Sequence, residues 1–146
     1  MNITYNWNKD TGEAICNIRI GDKIFIGKAF CADEDRDVMS EFTGCTIALQ
    51  RAQLKVLLDE KNNILIPGLK ALKQLFYSIN KSKKYDRYSY EATMLYNQIQ
   101  HYEEDIKYLN QVIDKTKYDL KQYLSDKEKF HTNLRKVRQK EDTQNN

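Results

Sequence analysis

Ile18–Phe25 reads IRIGDKIF, two alternating runs that meet at Gly21-Asp22. Glycine followed by aspartate suits a two-residue hairpin, because that turn needs a positive φ and glycine adopts one without a Cβ clash. Pairing outward from the turn sets Ile20 opposite Lys23, Ile18 opposite Phe25, Cys16 opposite Gly27 and Ala14 opposite Ala29. One face of the hairpin is then nearly all apolar, while the other mixes Ile15, Ile24 and Ile26 with Asn17, Arg19 and Lys28 and is expected to be partly covered. Upstream, ITYNW and EAICNIRI flank Asn8–Gly12, whose Asn, Asp and Gly favour a turn, which adds a third strand. A meander this small does not stand alone in water and needs a helix on its apolar face.

The segment that follows, SEFTGCTIALQRAQLKVLLDEKNN, has the spacing of that helix. Cys45, Ala48, Ala52 and Val56 form a stripe of small residues, and Ile47, Leu54, Leu57 and Leu58 form a bulkier one. Small residues let a helix lie close on a sheet, which assigns Ala48 and Ala52 to the contact. Asn62 and Asn63 are expected to end this helix. Pro67 then suits the first turn of a second one, with Leu69, Leu72, Phe76 and Ile79 as its apolar stripe.

From Ser89, a candidate N-cap, to Lys140 the chain holds neither glycine nor proline. Counted in heptads from Ala92, one seam series is Ala92, Ile99, Ile106, Ile113, Leu120, Lys127 and Leu134. The other is Leu95, Tyr102, Leu109, Thr116, Tyr123, Phe130 and Val137, so 11 of the 14 positions are large apolar residues or tyrosine. Roughly fifty residues at ~1.5 Å each make a rod of about 75 Å. The flanking positions, Gln98, Asp105, Val112, Asp119, Asp126 and Asn133 on one side and Tyr96, Glu103, Asn110, Lys117, Leu124 and His131 on the other, lack the opposite charges of a parallel two-stranded zipper. Val112 and Leu124 widen the stripe, which favours three or more helices around one seam. Either further copies of the chain supply them or the helix after Pro67 does. Ser125 with Glu128 has capping-box spacing, so a helical hairpin broken there is the alternative to one rod.

The fold class expected is therefore α+β: a head of residues 1–62 made of the meander and its helix, then a helical, coiled-coil oligomerisation region over 63–146. Leu95, Ile99, Tyr102, Ile106, Leu109, Ile113 and Leu120 are its expected oligomerisation residues.

Composition narrows the function. Charged residues make up 31% of the chain and the mean hydropathy is -0.78. No run of about 18 apolar residues occurs, and MNITYNWNKD lacks the layout of a secretory signal, so the expectation is a soluble protein of the cytoplasm with no membrane partner. Cys16, Cys31 and Cys45 are odd in number and form no CxxC pair, which points to small buried hydrophobes rather than disulfides or a zinc site. Residues 1–60 hold 7 Lys/Arg against 10 Asp/Glu, a balance of -3, and residues 61–146 hold 17 against 11, a balance of +6. Head and helical region thus suit partners of opposite charge, or each other.

Asp33, Asp35 and Asp37 alternate as in a calcium loop, but Val38 stands where that loop needs glycine and Gly44 where it needs glutamate. His101 and His131 have no further ligand at metal spacing. The basic end, Lys127–Lys140, carries six Lys/Arg and Phe130; it could lie along phosphates, although cations at a helix C-terminus are also what the macrodipole favours. There is no phosphate loop and no nucleophile with a nearby base. The sequence reads as a binding protein, not an enzyme, with no cofactor and no metal. Arg51, one turn after Ile47, is the sharpest polar candidate, offering a guanidinium to phosphate or carboxylate, although a salt bridge to Glu41 or Asp59 or a snorkelling surface position is the simpler explanation.

Gly27-x-Ala29-x-Cys31, followed by Asp35, Glu41, Gly44, Ala48 and Arg51-Ala52, resembles a pattern of small accessory proteins of phages that infect Gram-positive bacteria. The run LKALKQLFYSINKSKKYDRYSYEATMLYNQI resembles the same group, and together these features span residues 14–99. Proteins of this plan are similar to the Thoeris anti-defence sponges, oligomers that trap a host nucleotide immune signal. That resemblance implies a phage-encoded counter-defence protein with pockets between protomers, its ligand held by Arg51, Lys55, Tyr77 and Tyr88. The long rod is a departure from a minimal sponge. It supports two rivals: an inhibitor that grips a host defence protein such as a CRISPR nuclease, and a structural coiled-coil factor of phage assembly or DNA binding.

Overall fold

The computed structural model describes residues 1–31, 41–81 and 90–145. Three strands, β1 (Asn2–Asn8), β2 (Glu13–Ile20) and β3 (Lys23–Phe30), form an antiparallel sheet in the order β1-β2-β3. Helix α1 (Glu41–Asp59) runs through a π-helical turn (Glu60–Leu65) into α2 (Ile66–Lys81), and α3 occupies Tyr90–Asn145. The fold is α+β, as the alternating and helical periodicities predict. Two compact units are present, one of residues 1–55 with 115–146 and one of residues 56–114.

In the first unit the register is the one the Gly21-Asp22 turn dictates, with Ile20 opposite Lys23, Ile18 opposite Phe25, Cys16 opposite Gly27 and Ala14 opposite Ala29. Gly21 has φ +59 and Asp22 is not left-handed, the pattern of a type II′ turn. At the other turn Asn8 Oδ1 accepts from the backbone N–H groups of Asp10 (3.0 Å) and Thr11 (3.2 Å), and Gly12 takes φ 70.

The core is built of small residues. Ala14, Cys16 and Ala29 of the sheet and Ala48 and Ala52 of α1 are almost wholly buried, with Ile18 and Ile47 as the bulkier members. Gly27 explains the choice: a Cβ there would collide with the carbonyl oxygen of Ala48 and the backbone nitrogen of Ala52. The α1 backbone therefore rests directly on β3. Any side chain at position 27 would have to lift the helix off the strand and open the packed layer beneath it.

Three sequence expectations need correction or a decision here. Asn62 and Asn63 do not end a helix; they lie inside the π-helical turn, where the Ile66 N–H donates to the Lys61 carbonyl five residues back. Pro67 gives the reason. Inside a regular ladder its ring clashes with the carbonyl four residues earlier, and a wider turn moves that carbonyl away without stopping the helix. Ser125 does not restart a helix, since α3 is continuous through it. Ser89 and the Asp33, Asp35 and Asp37 run lie outside the described residues.

In the second unit α2 lies antiparallel to the first part of α3. A Cβ on Gly68 would meet the Tyr102 ring at 2.8 Å, the Phe76 and Tyr96 ring centroids are 6.3 Å apart, and Lys73 Nζ pairs with Glu103 Oε1 at 3.1 Å.

Replacing Gly27 by Ala should lower stability by roughly 3 kcal/mol. Urea unfolding followed by circular dichroism measures it, and an unchanged midpoint would mean that α1 does not rest on this strand.

Candidate functional site

Arg51 and Lys55 stand one turn apart on α1, and both reach the exposed edge of β3. Arg51 Nη1 donates to the Lys28 carbonyl at 2.6 Å, and Lys55 Nζ donates to the Ile26 carbonyl at 2.5 Å. The spacing is mechanical: residues 26 and 28 point their carbonyls the same way along a strand, and a helix presents positions four apart on one side. The close seat of α1 on Gly27 brings the two within reach. Two cations thus cover an edge that would otherwise offer unpaired backbone groups to another strand. Of the two structural explanations the sequence leaves for Arg51, neither describes this contact, which strand periodicity alone does not reveal.

Tyr77 belongs to the second unit. It lies on an open groove of about 410 Å³ along α2, with Ile66, Leu69, Lys70, Lys73 and Gln74. Lys81 Nζ sits 4.6 Å from the Tyr77 ring centroid, a cation–π contact. Ile66, Leu75 and Tyr77 are 42%, 50% and 60% exposed, and α2 has three lysines and no acidic residue. Tyr88, the fourth expected ligand contact, lies outside the described residues.

The α3 seam is covered in part within a single chain. Ile99, Leu109 and Ile113 are buried, and Leu95, Tyr102, Ile106 and Leu120 are half-buried. The helix after Pro67 meets the seam at Tyr102 and the positions flanking it at Tyr96 and Glu103. Toward the C-terminus Phe130 and Val137 are about half exposed, and Lys127 Nζ lies over the Tyr123 ring at 5.4 Å from its centroid.

A second groove, about 500 Å³, lies in the first unit between β1 and the start of α1, lined by Tyr5, Glu41, Phe42, Cys45, Thr46 and Leu49. Burial raises the pKa of the Cys45 thiol, and the neighbouring Glu41 carboxylate raises it further. Burial likewise raises Cys16 and the Tyr5 phenol. Sequence reading missed this groove because Tyr5 and Phe42 belong to separate elements and carry no shared motif.

Among the described residues no group of three or more His, Cys, Asp or Glu side chains could hold a metal ion, and no helix is long and apolar enough to cross a membrane. No family model, curated protein or solved structure matches the chain.

Two outcomes follow from this geometry. Replacing both Arg51 and Lys55 by Ala should cost about 1–2 kcal/mol and bare the β3 edge; a lower urea midpoint with concentration-dependent light scattering would register both effects. Because its pKa is raised, Cys45 holds less thiolate at neutral pH than an ordinary cysteine. In dilute protein, iodoacetamide should therefore alkylate it more slowly than a free thiol, as timed by intact mass.

Proposed function

We propose that the chain is a non-enzymatic, phage-encoded counter-defence protein that works by binding, and that its target is a host defence protein such as a CRISPR nuclease. The phage reading rests on the sequence resemblance at residues 14–99. The choice of target rests on the exposed face of α2. That face combines Ile66, Leu69 and Tyr77 with Lys70 and Lys73 along one groove. It has the form of an apolar strip with a basic rim, which suits an acidic, partly apolar protein surface: the apolar centre supplies affinity, and the lysines speed encounter and set orientation.

The nucleotide-sponge reading draws less support. It relies on Arg51 and Lys55 as phosphate contacts, and both already donate to β3 carbonyls. It also relies on pockets shared through the rod, and the seam residues Ile99, Leu109 and Ile113 are buried without a second copy. The basic end of α3 favours nucleic acid only through its charge, and the assembly-factor reading draws on the length of α3 alone.

The test is purification from infected or expressing cells, with mass spectrometry of whatever the protein carries. A single host protein should co-purify in fixed ratio, and Tyr77→Glu should weaken that complex at least tenfold while circular dichroism stays unchanged. Release of an unmodified nucleotide after heat denaturation, one per protomer or per pair, would instead establish the sponge. Recovery in virions would establish the assembly factor.

A further inference from the structure

The two long edges of the sheet are treated differently. Across the two-residue turn Ile20 and Lys23 form a hydrogen-bonded pair, so alternate residues of β3 turn their backbone groups outward. Ile26 and Lys28 are among them, and their carbonyls are the ones taken by Lys55 and Arg51. The same alternation carried through β2 makes Arg19, Asn17, Ile15 and Glu13 face β1, where they pair with Asn2, Thr4, Asn6 and Asn8. Ile3, Tyr5 and Trp7 are left with N–H and C=O groups pointing away from the sheet. Among the described residues none of these groups has a partner.

Within its own sequence β1 carries none of the devices that blunt an edge. It holds no proline and no charged side chain, and its pairing with β2 runs from Asn2 to Asn8 without a bulge. Beside it, on the α1 side, is the apolar groove, where Tyr5 is 50% and Phe42 77% exposed. An open strand edge next to a groove is the arrangement that accepts an added strand: main-chain bonds supply affinity, and every second side chain enters the groove.

We infer that a second copy of this chain docks here, its β1 pairing antiparallel with this β1 about a two-fold axis to give a six-stranded sheet. The occupant is identified by the pattern the site demands. An added strand must be apolar at alternate positions on the groove side and tolerate water on the other. β1 itself has that pattern, with Ile3, Tyr5 and Trp7 on the α1 side and Asn2, Thr4, Asn6 and Asn8 opposite. Two uncharged strands meet without like-charge repulsion. A two-fold pair also closes on itself and leaves no edge for a fibre. Edge bonds alone bury too little for a stable dimer, which needs roughly 1,200 Å² or more in all; Phe42 and Tyr5 of each copy must therefore be covered as well. This surface is separate in chemistry from the α2 face invoked for the target, and the proposal does not depend on that one.

Light scattering after size exclusion, run from low to high micromolar protein, tests it. The mass should rise to twice the 17.3 kDa of one chain. Tyr5→Pro removes an N–H that the sheet does not use, a change an edge strand tolerates, and Phe42→Glu places a charge in the groove; each should return the mass to 17.3 kDa with circular dichroism unchanged. Should Tyr5→Pro unfold, Phe42→Glu decides alone. Alkylation of Cys45 in the wild type should slow at least fivefold as concentration rises. A wild-type chain that stays monomeric overturns the inference and leaves the edge to a strand of another protein. A dimer that survives Phe42→Glu and leaves Cys45 equally reactive overturns it too, and assigns association to the α3 seam.

Discussion

The head of this protein depends on two backbones touching. A helix sits on a strand at that distance only where both surfaces are nearly bare, and here Gly27 meets the main chain at Ala48 and Ala52. The choice then spreads. Once α1 is that close, its neighbours on the sheet must be small too, which accounts for Ala14, Cys16 and Ala29, and bulk is left to Ile18 and Ile47. Alanines and a glycine bury little apolar area each, so such a layer gains stability from close fit more than from transfer of large side chains out of water. The same closeness puts Arg51 and Lys55 against the β3 carbonyls. Core packing and edge protection are consequences of one constraint.

Much of this could be read from the chain, for definite reasons. The Gly21-Asp22 turn fixes the hairpin register because a positive φ is available there and a slip by one residue would turn Ala14, Cys16 and Ile18 to the wrong face. The small stripe of α1 names its contact. What failed was punctuation. Asn62, Asn63 and Pro67 have the look of an end and a beginning, yet a π-helical turn absorbs the proline locally, and local signals do not distinguish a break from a bulge. Ser125 failed likewise as a break, since capping-box residues are ordinary helix surface when the apolar stripe continues past them. Arg51 could be singled out but not assigned, because its partner is a backbone oxygen on an edge that exists only once the sheet is built. The groove at Tyr5 and Phe42 was invisible for the same reason.

Part of the long helix's apolar stripe is covered by its own chain. A seam of fourteen heptad positions invites a second chain, yet Gly68 against Tyr102 shows α2 taking up part of it, with Phe76 against Tyr96 on its flank. Gly68 is less tightly bound than Gly27, since a Cβ there would meet the Tyr102 ring, a side chain, rather than backbone. Heptad periodicity specifies that a helix has a partner; it does not specify whose. Short connections make the neighbouring helix of the same chain the first to arrive.

Charge then separates the open β1 edge from the open α2 face. The α2 groove carries Lys70 beside Lys73, which pairs with Glu103, so its net charge favours an acidic surface over a second copy of itself. The β1 strand itself carries no charge, so no like charges face each other across two copies of it. A basic, apolar face suits something unlike itself, whereas an uncharged open edge suits a strand of its own kind. The division follows from side-chain chemistry alone.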